Sequence, residues 1–220
     1  MNRRSFLASC LLTLAGTIPQ LRPSRLIICD GNSITAAAAA YYTRGNWQPW
    51  PYQLAGLTGE RVLNVAVGAT NIEHCSQRAG LNVDRMVGLA NETWLVIWEG
   101  TNHLSVTMDA QLSFDAQQAY CNARRAAGVG RIFVGTIISR DPETCTYTEA
   151  MRLEFNRLVR TCEWSVIDFG EMAEMGPVDA WRDTRYFYDG IHPTDAGSRL
   201  LAEAAQAALR YVEYLPLVRG

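Results

Sequence analysis

The sequence predicts an α/β protein, namely a three-layer α/β/α sandwich built around a five-stranded parallel sheet. Two observations lead to this prediction. Short apolar and β-branched runs alternate with longer segments of helical character, which is the pattern of parallel strands joined by crossover helices. The chain has 220 residues, 48% of them hydrophobic, so it can bury the core of one ordinary domain without disulfide or metal support.

Five runs are apolar enough to be buried on both faces of a sheet, and we predict that each forms a strand. These runs are residues 26–29, 62–65, 94–98, 132–137 and 166–169. Helices are predicted between and after them, around residues 51–57, 83–90, 109–127, 148–162 and 194–211. Gly128 can end the third helix, and Thr194 with Asp195 can cap the last one. Right-handed crossovers then place helices on both faces of the sheet.

Residues 1–22 have the layout of an export signal. Arg3 and Arg4 precede a mostly apolar run over residues 6–15, and the pair of arginines is typical of the twin-arginine type. A buried N-terminal helix is the alternative. We predict that the protein is exported to the periplasm or the medium and that residues 23–220 form a single domain. No second long apolar run follows, so no stable membrane insertion is expected after signal removal.

Charge and cysteine usage exclude several classes of function. The formal net charge is −2 and no long basic block is present, which argues against a nucleic-acid partner. Five cysteines follow Cys10, an odd number without C-x-x-C spacing or a Cys/His cluster. We therefore expect no disulfide framework, although one isolated bridge remains open, and no metal site.

The first predicted strand leads into Asp30-Gly31-Asn32-Ser33, and ligands bind beyond the carboxyl ends of strands in such sheets. Gly31 permits a sharp turn that would bring Ser33 to this edge. A serine hydroxyl becomes a nucleophile when a base takes its proton, so Ser33 is a candidate that needs an imidazole within reach. Taken alone, Ser33 could equally be a helix cap or a turn residue.

The required base is predicted in Asp189-Gly190-Ile191-His192, just before the last helix. Asp and His three residues apart in a loop can share a hydrogen bond from Nδ1 to the carboxylate. Nε2 of His192 then stays available for the serine, while Asp189 sets the tautomer and stabilises the imidazolium. A surface histidine beside a helix cap is the alternative.

Two further segments can supply an oxyanion site. Gly68, after the second strand, can present an unobstructed backbone N–H, and the Asn102 side chain, after the third strand, can add an amide donor. Each residue viewed singly is more simply a loop glycine or a turn former. Together with Ser33 and His192, however, they follow elements that place all of them at one edge of the sheet.

Four segments, in this order, resemble the four sequence blocks of the SGNH (GDSL-like) hydrolase superfamily: GNSIT, NVAVGAT, EGTNH and DGIHPT. The resemblance implies a flavodoxin-like sandwich and an esterase that uses no cofactor. It further implies that Ser33 is the nucleophile and the first oxyanion donor, with Gly68 and Asn102 as the other donors. His192 is then the base and Asp189 its partner.

The sequence departs from this family at two positions, because Asn32 and His103 stand where the family usually has Asp. We expect altered supporting hydrogen bonds and a retained activity. The NVAVGAT block is also one residue shorter than the commonest form, so Ala69 is an alternative donor to Gly68. His103, Trp47 and Tyr188 are candidate substrate contacts.

The expected function is hydrolysis of carboxylic esters through an acyl-enzyme, with a small-molecule or carbohydrate ester as substrate. Export together with the family resemblance favours short-acyl esters, such as O-acetyl groups on carbohydrate. A lysophospholipase or thioesterase acting on lipids is the nearest alternative. A non-catalytic binding module that keeps only the fold is a third possibility, supported by the departures at Asn32 and His103.

Overall fold

The computed structural model describes residues 24–37 and 48–213, so the predicted signal over residues 1–22 and the candidate contact Trp47 lie outside the described residues. The described chain contains one five-stranded parallel sheet with the strand order β2-β1-β3-β4-β5. Its strands are β1 (Arg25–Gly31), β2 (Arg61–Asn64), β3 (Glu92–Trp98), β4 (Arg131–Gly135) and β5 (Ser165–Ile167). All five predicted strands are confirmed, with ends that differ by a few residues.

Helices connect these strands and follow the last one. The α-helices are α1 (Ser33–Ala36), α2 (Trp50–Thr58), α3 (Ile72–Asn82), α4 (Thr101–Thr107), α5 (Ala110–Ala126), α6 (Glu149–Arg160) and α7 (Asp195–Glu213). Short 3-10 turns lie at Asp84–Met86, Pro142–Thr144, Phe169–Glu171 and Ala180–Arg182. Four of the predicted helices correspond to α2, α5, α6 and α7.

The helix predicted over residues 83–90 is wrong. The helix of this crossover is α3, which begins after Asn71 because the Asn71 side chain accepts hydrogen bonds from the backbone N–H groups of Glu73 and His74. Beyond its end only the single turn Asp84–Met86 is helical. A second helix that was not predicted is α4, which begins at Thr101 within the EGTNH segment.

Side chains on each strand alternate between two separate hydrophobic cores, as expected for a sheet covered on both faces. On β1, Leu26 and Ile28 point into the core beneath α3, α5 and α6, whereas Ile27 and Cys29 point into the core beneath α2 and α7. These four side chains are at most 1% exposed. The layers therefore match the predicted sandwich.

This strand order places the ends of β1 and β3 side by side at the centre of the sheet. Gly31 lies opposite Trp98 in their register, so the residues that follow each strand, Asn32 and Glu99, begin next to each other. The chain turns away from this point in opposite directions, towards β2 on one side and β4 on the other. Such a switch point is where doubly wound sheets form their binding crevice.

The five cysteines in the described residues are all free. Within the same residues, no group of three or more His, Cys, Asp or Glu side chains is arranged to hold a metal ion. None of the described helices is both long and apolar enough to cross a membrane.

Candidate active site

Ser33 is presented by a tight turn at the end of β1. A side chain at Gly31 would place its Cβ 2.4 Å from the carbonyl oxygen of Trp98, so only glycine fits between the two central strands. Asn32 then caps α1 by accepting a hydrogen bond of 2.9 Å from the backbone N–H of Ile34. Ser33 is the first residue of this helix, at the carboxyl edge of the sheet.

Ser33, His192 and Asp189 form a continuous hydrogen-bonded chain. The Ser33 Oγ lies 2.8 Å from His192 Nε2, and His192 Nδ1 lies 2.8 Å from Asp189 Oδ2. The other carboxylate oxygen, Oδ1, accepts hydrogen bonds from the backbone N–H groups of His192 (2.8 Å) and Ile191 (3.0 Å). These distances lie within the range of a nucleophile, a base and an orienting carboxylate.

The local backbone keeps Asp189 charged. Partial burial by itself would raise the pKa of Asp189, but the hydrogen bonds from His192 and Ile191 outweigh it and lower the pKa below its ordinary value. Gly190 lies between Asp189 and Ile191 and has a φ of +80°. This left-handed conformation bends the loop so that both N–H groups face the carboxylate. Asp189 is therefore ionised, as a partner of an imidazolium must be.

The loop between β2 and α3 is attached to the nucleophile turn. The Val67 N–H donates to the Gly31 carbonyl oxygen at 3.1 Å, and the Thr70 hydroxyl, which lies 3.3 Å from the same oxygen, donates to the Val67 carbonyl oxygen at 2.7 Å. Asn102 Nδ2, in the first turn of α4, donates to the Thr70 carbonyl oxygen at 2.8 Å. Gly68 lies between Val67 and Thr70, so the structure brings Gly68 and Asn102 to the same loop beside the turn that carries Ser33.

Three groups at or near Ser33 have an N–H donor that is not used in a hydrogen bond among the described residues. The Ser33 N–H is in the first turn of a helix, where backbone donors have no intrahelical acceptor. The Gly68 N–H has no acceptor among the described residues. The Asn102 amide carries two hydrogens and Thr70 takes one of them. Ala69 has a left-handed φ of 59° in this turn, and the choice between Gly68 and Ala69 stays open.

Asn32, which stands where the family usually has Asp, is hydrogen-bonded to a carboxyl group that directly follows β3. Asn32 Nδ2 donates to Oε2 of Glu99, and the other oxygen of Glu99 accepts from the His103 backbone N–H at 3.1 Å. Glu99 is only 1% exposed. Glu99 has no predicted role in the sequence, and it is the register of β1 and β3 that brings it next to Asn32.

Burial raises the pKa of Glu99 to about 8, although the hydrogen bonds from Asn32 and His103 lower it. The folded protein then retains a proton that the unfolded chain loses near pH 4.5. The tighter proton binding by Glu99 in the folded state stabilises the fold. This stabilisation is fully present below pH 4.5 and is lost as the pH rises to about 8, with a slope of up to about 1.4 kcal/mol per pH unit.

We predict that Glu99→Gln removes this component of the pH dependence. The check is the free energy of unfolding in urea, measured for both proteins between pH 5 and pH 9. Wild type should lose stability relative to the variant as the pH rises towards 8. An identical slope in the two proteins would contradict the raised pKa.

A buried ion pair supports the nucleophile turn from below. Asp30, which is fully buried, accepts hydrogen bonds from Arg78 Nη2, the Tyr120 hydroxyl (2.7 Å) and the Gly31 N–H (2.8 Å). Arg78 also donates to the Gly31 carbonyl oxygen at 3.0 Å. Asp30 thus binds the N–H of Gly31 and Arg78 binds its carbonyl oxygen. No local pattern in the sequence indicated that α3 and α5 contribute to this network.

The other predicted contacts lie in different surroundings. His103 is 3% exposed on α4, and burial lowers the pKa of its imidazole. Tyr188 is half-buried and its backbone N–H donates to the His192 carbonyl oxygen at 2.8 Å. Contact of His103, Tyr188 or Trp47 with substrate stays a prediction.

A small cavity lies beside the hydrogen-bonded chain. Its walls include Asn32 and Ile34, the two neighbours of Ser33, and Ile191, the neighbour of His192. The cavity volume is about 10 Å³, which is about enough for one water molecule. The other lining residues are Trp98, Gly100, Thr101, Ile137, Ile138, Ser139 and Arg140, of which Thr101, Ser139 and Arg140 are polar. No local sequence pattern indicates this lining, because four separate segments of the chain supply it.

Comparisons with known proteins identify the family and the fold of this chain. A family model described as the GDSL-like lipase/acylhydrolase family matches residues 29–200. No curated protein matches the sequence. Similar solved structures include a protein from Desulfitobacterium hafniense assigned to the G-D-S-L lipolytic family, with a TM-score of 0.64 and 14% identity over 83% of this chain and 98% of the other.

Two further structures extend this likeness. TesA has a TM-score of 0.64 and 19% identity over 85% of this chain and 99% of its own. A catalytic mutant of Axe2, an acetylxylan esterase from Geobacillus stearothermophilus, has a TM-score of 0.62 and 16% identity over 89% of this chain and 96% of its own. At such identities the likeness shows a common fold.

Proposed function

Because the chain belongs to the GDSL-like lipase/acylhydrolase family and is thus an ester-bond hydrolase, we propose that it is a serine esterase that cleaves short-acyl esters. O-acetyl esters of carbohydrate are the proposed substrates. The observation that carries the proposal is the hydrogen-bonded chain from Ser33 Oγ through His192 to Asp189, with 2.8 Å at each link.

In the proposed reaction, Ser33 Oγ attacks the ester carbonyl carbon while His192 Nε2 takes the hydroxyl proton. The tetrahedral intermediate expels the alcohol, which receives that proton from His192, and Ser33 is left acylated. A water molecule then attacks the acyl-enzyme, again giving a proton to His192. The acid leaves as the proton returns to Ser33. Asp189, held ionised by its backbone hydrogen bonds, stabilises the imidazolium in both halves.

The negative charge that develops on the carbonyl oxygen needs fixed donors. The proposal assigns this role to the backbone N–H groups of Ser33 and Gly68 and to the side-chain amide of Asn102. Each such donor contributes about 10²- to 10³-fold in rate. Thr70 supports the assignment because its contacts with Gly31 and Asn102 hold the last two donors next to the first.

The small cavity supports a short acyl group. Its volume of about 10 Å³ suits an acetyl methyl better than a longer acyl chain, which would have to displace Ile34, Ile138 or Ile191 to enter it. A carbohydrate ester is further supported by the acetylxylan esterase among the similar structures. Export directed by residues 1–22 stays a prediction, and it is compatible with an extracellular polysaccharide substrate.

The test is a chain-length series on the purified protein. We expect kcat/KM to be highest for p-nitrophenyl acetate and to be at least about 10-fold lower for the octanoate ester. The reason is that each methylene forced into a filled cavity costs about 1 kcal/mol or more. Acid quenching during turnover of the acetate, followed by peptide mass spectrometry, should locate an acetyl group on Ser33. An increase in kcat/KM with chain length would favour the lipid esterase instead, and an acetyl group on another residue would contradict the mechanism.

A further inference from the structure

Arg140 lies between two cavities at the catalytic edge of the sheet. It follows β4 and lines both the small cavity, whose walls include the two neighbours of Ser33, and a second cavity of about 70 Å³. The next residue, Asp141, donates its N–H to the Gly190 carbonyl oxygen at 2.9 Å, within the loop that carries Asp189 and His192. The Arg140 segment is thus attached directly to the proposed base.

The guanidinium of Arg140 is held in place by neutral acceptors. Nη1 donates to Thr101 Oγ1 at 3.0 Å, Nε to Thr144 Oγ1 at 3.2 Å and Nη2 to the Thr144 carbonyl oxygen at 2.7 Å. The Tyr147 hydroxyl in turn contacts Thr101 Oγ1 at 2.7 Å. A guanidinium has five N–H bonds, so one remains on Nη1 and one on Nη2, which is the number that a carboxylate can accept in a bidentate contact.

No carboxylate among the described residues lies within 4.0 Å of the Arg140 guanidinium. The acidic residues nearby have other partners, since Glu149 binds Arg152 and Asp179 binds Arg182. Asp141 accepts the Glu143 N–H at 3.0 Å. Arg140 is half-buried and has no ion-pair partner among the residues that the structure describes, although Glu149 and Asp179 also line the second cavity.

The second cavity is placed to hold the alcohol part of an ester. Trp181 lines it, and a Cβ on Gly190 would lie 3.2 Å from the Trp181 ring, so this wall adjoins the loop of the proposed base. The leaving oxygen must be near His192 Nε2 to receive its proton. The acyl group is then assigned to the small cavity and the alcohol part to the larger one, whose Trp181 wall adjoins the loop that carries His192.

We propose that Arg140 selects ester substrates whose alcohol part carries a carboxylate, as an acidic sugar does. This inference rests on the proposed esterase function. A carboxylate in the second cavity would accept the two remaining N–H groups and neutralise a charge that the fold has already fixed in position. Such charge-assisted contacts strengthen binding by about 10- to 100-fold.

The proposal can be tested with two substrates that differ only in charge, 4-acetoxybenzoate and its methyl ester. For wild type we expect a preference for the anion that weakens as ionic strength rises. Arg140→Gln should lower kcat/KM for 4-acetoxybenzoate about 10- to 100-fold and change that of the methyl ester by less than about threefold. Arg140→Lys should retain part of the preference. Arg157→Gln, at an exposed arginine paired with Glu154, is the matched control and should behave as wild type.

The outcomes separate the two proposals. An equal loss for both substrates in Arg140→Gln would show that Arg140 only supports the loop. An unchanged preference in that variant would also contradict the proposed selection. Efficient hydrolysis of the methyl ester by wild type, without preference for the anion, would overturn the role of Arg140 while the esterase function stands. Hydrolysis of neither ester would overturn both.

Discussion

Replacement of Ser33 or His192 by alanine is expected to reduce kcat for p-nitrophenyl acetate by about 10⁴- to 10⁶-fold. Without the hydroxyl no acyl-enzyme forms, and without the imidazole neither half of the reaction has a base at the 2.8 Å distance seen between Ser33 and His192. Because the two residues act as one unit, the double variant should be about as slow as either single variant. The measurement is steady-state kinetics at one pH, with circular dichroism to verify folding.

His74→Ala is the matched control for this prediction. His74 is exposed on α3, and its Nδ1 lies 2.8 Å from the capping side chain of Asn71, so its loss affects the start of a helix. Activity should stay within about twofold of wild type. Folded Ser33→Ala protein with a substantial fraction of the wild-type kcat would exclude Ser33 as the nucleophile.

Replacement of Arg78 by methionine is expected to lower the free energy of unfolding by about 3–5 kcal/mol, because it leaves the fully buried Asp30 without its counter-charge. Asp30→Asn should also destabilise the fold. The double variant should cost clearly less than the sum of the two, since it leaves no unpaired charge. Urea denaturation at pH 7 measures these differences.

The control for this ion pair is again on the protein surface. Arg157 and Glu154 on α6 are 59% and 47% exposed, so Arg157→Met should change the free energy of unfolding by no more than about 0.5 kcal/mol. If Arg78→Met were equally mild, the Asp30 carboxylate would have found solvent or another donor. The buried pair would then not be what supports the Gly31 turn.

Most of the fold follows from patterns that are local in the sequence. Strands that are buried on both faces are continuous apolar runs, so β1 and β3 could be predicted from the local sequence alone. Long helices such as α5 and α7 have clear periodicity and caps. The helix before β3 was misplaced by the sequence analysis because Asn71, one polar residue among several, decides where it starts, and only the folded backbone shows which polar side chain faces free N–H groups.

The sequence by itself determined the strands of the sheet, the family resemblance and the local pair Asp189 and His192, because these depend on neighbouring residues. Only the tertiary structure decided which distant groups meet. Ser33 and His192 are 159 residues apart, and Asn32 and Glu99 are 67 apart. Strand order and register bring such pairs together, and these depend on how the whole chain packs. The same holds for Arg140, because only the folded structure shows that it has no ion-pair partner among the described residues.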